Sequence, residues 1–87
     1  MTQSDPMKKM FDFLDRLKES RIPFRLDISR ARMILVDISL PGQRWEVEFA
    51  EDGDIDVEVF ESQGVEDVGE ERLEELFPEY AHHADGQ

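Results

Sequence analysis

The chain has 87 residues, enough for one domain around a single hydrophobic core. Its 10 Lys+Arg against 22 Asp+Glu give a formal charge of −12, which argues against gripping nucleic-acid phosphates or an anionic membrane surface. With no cysteine, disulfides, thiolate metal sites and thiol catalysis are excluded.

In chain order, Asp5-Pro6 reads as a helix N-cap and first helical residue: the carboxylate accepts an orphan amide, and proline has none to lose. Met7, Met10, Phe11, Leu14 and Leu17 then recur at steps of three and four, one face of a helix running to about Ser20. Phe13 falls at the edge of that stripe, and Pro23 stops the helix. Beyond it the period drops to two. Phe24, Leu26 and Ile28 make one strand, Ile34, Val36 and Ile38 a second, Trp45, Val47 and Phe49 a third, and Ile55, Val57 and Val59 a fourth. The connections at Arg30-Ala31-Arg32, Pro41-Gly42 and Glu51-Asp52-Gly53 are too short for parallel crossovers, so the strands form an antiparallel meander.

Register follows from parity, since residues opposite each other share a face. A three-residue Glu51-Asp52-Gly53 loop sets Phe49 against Ile55, Val47 against Val57 and Trp45 against Val59. The other turns pair Ile38 with Trp45 and Phe24, Val36 with Val47 and Leu26, and Ile34 with Phe49 and Ile28. All twelve side chains fall on one face, which is expected to be buried. Val65 and Val68 punctuate an acidic connector, and Glu70 to Phe77 reads as a short helix carrying Leu73, Leu76 and Phe77, ended by Pro78. The expected fold is α+β: an N-terminal helix, a four-stranded antiparallel meander and a short C-terminal helix, both helices on one sheet face. The whole chain, 1–87, is one domain with an ordered core of about 6–80, where Tyr80 docks, and flexible tails at 1–5 and 81–87.

Chemistry is sought on the opposite face. There Arg25, Asp37, Glu46 and Glu58 form one cross-strand row, Asp27, Leu35, Glu48 and Asp56 the next, and Ser29, Met33, Ala50 and Asp54 a third. Only Arg25 is expected to offset the directly opposed acids, each such pair being unfavourable by roughly a few tenths of a kcal/mol. Charge is also lopsided along the chain: residues 1–44 hold nine cations and six acids, net +3, and residues 45–87 one cation and sixteen acids, net −15. Such a face can merely keep a small sheet soluble and its edges unpaired. It can equally dock a basic protein, an acidic field speeding encounter. In that reading Asp37, Glu46, Glu48, Asp56 and Glu58 supply the charge, with Leu35 and Phe60 (and Met33) as apolar anchors.

Catalysis finds no assembled group. His82 and His83 lie in the expected tail, no serine has a nearby histidine in a recognisable motif, and Gly42, Gly53, Gly64 and Gly69 are too isolated for a phosphate loop. Asp52, Asp54 and Asp56 are similar to the opening of a calcium loop, but the following alternation sends that segment into a strand. No cofactor or metal is expected. Asp12 and Asp15 interrupt the apolar run a signal peptide would need after Lys8 and Lys9, and no segment is long enough to span a membrane, so a cytoplasmic protein is expected.

The strand Trp45-Glu46-Val47-Glu48-Phe49, the turn Glu51-Asp52-Gly53 and the closing Leu73-Glu74-Glu75-Leu76-Phe77, behind an N-terminal helix, resemble a pattern in small bacterial α+β proteins. Some of these resemble immunity proteins of bacterial toxin systems. The resemblance implies neutralisation of a toxin by an acidic binding surface and points to no particular residue. Three readings stand: an acidic module binding a basic protein, in one form a mimic of nucleic acid; an assembly domain forming a homodimer through a sheet edge; and a small enzyme, which would need a concave pocket.

Overall fold

The computed structural model describes residues 5–30 and 32–77. The expected loose residues 1–4, the docking of Tyr80 and the tail with His82 and His83 lie outside the described residues. Asp5, placed with the loose residues 1–5 but also read as the N-cap, does cap the first helix, its carboxylate accepting from the Met7 amide at 3.1 Å. That helix, α1, spans Pro6–Glu19. Lys8 reaches Asp12 one turn along at 2.9 Å, and the bond to that carboxylate raises the lysine pKa.

Five strands follow rather than four: β1 Phe24–Arg30, β2 Met33–Leu40, β3 Gln43–Ala50, β4 Ile55–Glu61 and β5 Gly64–Val68. They form one antiparallel sheet in the order β1-β2-β3-β4-β5. The acidic connector is thus a strand. Glu61 pairs with Gly64, so Ser62-Gln63 is a two-residue turn, and the backbone ladder carries β5 although its apolar residues do not alternate. Val68 falls on the helix side together with exposed Glu66, so the strand has no consistent apolar face to read.

The expected inner pairings hold, Trp45 facing Val59 and Ile38, Val47 facing Val57 and Val36, and Phe49 facing Ile55 and Ile34. Gly53 takes a positive φ of 100° in the three-residue loop and Gly42 one of 78° after Pro41, conformations that glycine adopts without strain. The third outer row is corrected: the register slips between Ile28 and Arg30, so Met33 faces Arg30 rather than Ser29.

The short C-terminal helix is a 3-10 helix, η1 (Glu70–Leu76). Both α1 and η1 contribute to the core on the same sheet face: Met10, Phe13, Leu14 and Leu17 from α1, Leu73 and Leu76 from η1 with Phe77 after it, against Val36, Ile38, Trp45, Val47, Phe49, Val57 and Val59. Two expectations about burial are overturned. Leu26 and Ile28 point inward by register yet are 52 % and 71 % exposed, and Met7 and Phe11 on α1 are 63 % and 52 % exposed. Phe13, expected at the stripe's edge, is buried.

One cause explains both. A helix with its side chains is about 10 Å across, roughly two strand spacings of about 4.8 Å. With α1 against β3 and η1 against β4, that width is exhausted before β1. On the η1 side Phe13 packs against Phe49 (5.6 Å between centroids) and edge-on against Phe77 (6.0 Å). Arg16 lies 4.0 Å over the Phe77 ring and reaches Glu74 at 3.0 Å, while Lys9 meets Glu70 at 3.4 Å. The helix stripe is therefore centred toward η1, and its other flank faces the uncovered strand.

Candidate acidic docking face

The outer sheet face is set by the same parity that buries Trp45, Val47 and Phe49. Arg25, Asp37, Glu46 and Glu58 align across β1 to β4 as expected, and β5 extends the row with Asp67 opposite Glu58. Asp27, Leu35, Glu48 and Asp56 form the neighbouring row. Glu46, Glu48, Asp56, Glu58 and Asp67 line a shallow depression of about 200 Å³. Of these, Asp56 and Asp67 are exposed and the three glutamates half-buried, so their stems pack on the sheet while their carboxylates line the hollow.

Compensation comes from a different cation than expected. Arg44, not Arg25, carries the observed ion pairs on this face, at 2.8 Å to Glu46 and 3.7 Å to Asp37, and its guanidinium lies 4.5 Å over the Phe60 ring. It precedes inward Trp45, so parity alone directs it outward; that signal was present in the sequence. Phe60, expected as a bare apolar anchor, is half-buried beneath that guanidinium. Leu35 is half-buried between Asp27 and Glu48, and Glu48 accepts from the Ser29 hydroxyl. Met33 lies at its strand end and lines a groove with Met10 and Ile28 instead of the acidic hollow. Asp67 was hidden because the segment holding it does not read as a strand.

Of the site residues named from sequence, Glu46, Glu48, Asp56 and Glu58 line the hollow together with Asp67, while Leu35, Asp37 and Phe60 share the outer face without lining it. Among the described residues no hydrogen-bond donor reaches buried Asp37 Oδ1, and Arg44 at 3.7 Å supplies charge alone. What the hollow offers chemically is a set of acceptor oxygens from three adjacent strands. Among the described residues no group of three His, Cys, Asp or Glu side chains is placed to hold a metal ion, and no helix is long and apolar enough to cross a membrane. No protein-family model matches the chain, and comparison with curated proteins and with solved structures gives no match.

Proposed function

We propose that the protein is a non-enzymatic binding module that docks a basic protein partner on the outer face of its sheet. The observation that carries this reading is the run Glu46–Glu58–Asp67 across three adjacent strands beside Glu48–Asp56, with all five carboxylates around one hollow. Like charges directly opposed on a sheet destabilise it by roughly tenths of a kcal/mol per pair. A lysine or arginine inserted between them converts that repulsion into attraction, and the surrounding field accelerates encounter. Leu35 and Phe60 supply apolar surface at the margins of the acidic rows. In its most concrete form the partner is a toxin whose basic substrate-binding surface is occluded, the immunity-like role that the hairpin's resemblance implies.

The test compares two double charge reversals of equal net charge. Glu48→Lys with Asp56→Lys alters the hollow, and Glu66→Lys with Glu71→Lys alters exposed acids away from it. Association with basic protein ligands is followed by surface plasmon resonance across salt concentrations. The reading requires the first variant to lose on-rate and salt dependence well beyond the second. Equal losses would mean that net charge alone attracts cations and the face is only solvated.

A further inference from the structure

The acidic hollow lies under β3 to β5; the opposite end of the sheet presents a different surface. Strand β1 is a free edge whose helix-side residues Leu26 and Ile28 are exposed, and Ile28 lines a groove with Met7 of α1. The Ile28 amide donates to the carboxylate of Asp27 at 2.8 Å. An amide so engaged is outside the β1–β2 ladder, and antiparallel alternation then places the N–H and C=O groups of Phe24, Leu26 and Ile28 on the open side. Among the described residues Asp27 is thus the one seen to seal this edge, and it seals one amide.

We propose that β1 pairs antiparallel with β1 of a second copy of this chain about a twofold axis through Leu26, joining two sheets into one of ten strands. Parity restricts the choice. Same-face pairing about a twofold sets one residue opposite its own copy, and an axis near the middle of Phe24–Ile28 falls either at Leu26 or at one of its charged neighbours, Arg25 or Asp27. The second kind of register opposes two like charges. The first sets Arg25 against the partner's Asp27 twice over on the outer face, and Phe24 against the partner's Ile28 on the helix side. Among the described residues Arg25 forms no ion pair within its own chain, and its own cross-strand neighbour Asp37 is already reached by Arg44. On pairing, the Ile28 amide takes the carbonyl of the partner's Phe24, which frees Asp27 for the partner's Arg25.

The charge distribution selects this edge over the other. Each copy carries −12, but residues 1–44 are net +3 and residues 45–87 net −15, so pairing at β1 holds the acidic halves at opposite ends. Pairing at β5 centred on its middle residue would oppose Glu66 with its own copy. A head-to-tail contact of β1 with β5 would set exposed Glu66, which faces the helix side, beside Leu26 and Ile28. Of these contacts, β1 with β1 is the one that sets an all-apolar helix-side row, Phe24, Leu26 and Ile28, against another.

The test is sedimentation velocity of the full chain over a dilution series, with circular dichroism confirming that each variant is folded. The expected wild type is a dimer that dissociates on dilution. Asp27→Arg, and separately Arg25→Asp, weaken self-association by roughly tenfold or more, each replacing two attractive cross-strand pairs by two repulsive ones. The double exchange of Arg25→Asp with Asp27→Arg restores the dimer, because each Asp then again faces an Arg across the axis. A wild type monomeric at every concentration overturns the proposal. So does a dimer indifferent to the single reversals, a double exchange as weak as either single, or a mass that grows beyond two chains.

Discussion

The two flanks of α1 show what covering a sheet face contributes. On the η1 flank, Phe13, Phe49 and Phe77 form an aromatic cluster capped by Arg16, and Trp45, Val47 and Phe49 of β3 are buried. On the β1 flank the inner face has the same apolar parity, yet Leu26 and Ile28 stand in water, as do Met7 and Phe11 of α1. Alternation therefore determines which way a side chain points, and the covering layer determines whether it is buried. The sharpest way to break the comparison is to place one charge on each flank. Val47→Asp buries an unpaired carboxylate at a position with no exposed area, costing several kcal/mol against a total of about 5–10. It is expected to leave no cooperative unfolding transition. Ile28→Asp has the same parity but keeps its charge hydrated, so the monomer stays folded with a urea midpoint near that of the parent. An unfolded Ile28→Asp variant would show that β1 is covered after all.

Truncation gives a milder version. Phe77→Ala removes a ring that is 1 % exposed and leaves Phe13 facing a cavity, a loss of about 3–5 kcal/mol in urea denaturation. Phe11→Ala on the other flank is expected within about 0.5 kcal/mol of the parent. Equal losses would mean that both flanks are packed alike.

These pairs also mark what the sequence could and could not reveal. The hairpin registers were legible because twelve inward residues fit only one parity, with glycine at the turn positions that need it. That Phe13 belongs to the core and Phe11 does not was illegible from helical periodicity. The choice depends on Phe77, 64 positions beyond Phe13, settling on one side of the stripe. Strand β5 was missed because its inner position is taken by Glu66, and the row of acids stopped one strand short as a result. The outward acids of β3 and β4 followed from the inward Trp45, Val47 and Phe49, so the candidate face was readable except for its last strand. Its main cation, Arg44, was also implied by that parity.

Arg16 tests what fastens the covered flank. Its guanidinium stacks on Phe77 and bonds Glu74, each interaction contributing roughly 0.5–1 kcal/mol at a partly exposed site. Arg16→Ala should therefore cost about 1–2 kcal/mol. Lysine keeps the charge but lacks the planar fork that meets ring and carboxylate together, so Arg16→Lys is expected to recover less than half of that loss. Full recovery by lysine would reduce the contact to simple charge.

The smallest expected effect lies on the outer face, where the same asymmetry is written in charge. Beneath the covered strands Glu58 is opposed by Glu46 on one side and Asp67 on the other, and Arg44 is already engaged with Glu46 and Asp37. Beneath the uncovered edge, Arg25 faces Asp37 and the row is not purely acidic. Removing charge at the first position relieves repulsion; removing it at the second removes a cation from an acidic sheet. Glu58→Gln is expected to stabilise by a few tenths of a kcal/mol and Arg25→Gln to destabilise by a similar amount. Because these charges face solvent, the Debye length falls from about 10 Å at 0.1 M salt to about 3 Å at 1 M, and both differences should shrink together. Melting curves of the two variants at low and high salt carry the test. A Glu58→Gln gain that persists undiminished at 1 M would assign its origin to packing of the glutamine stem, and the acidic run would then carry no electrostatic tension for a partner to relieve.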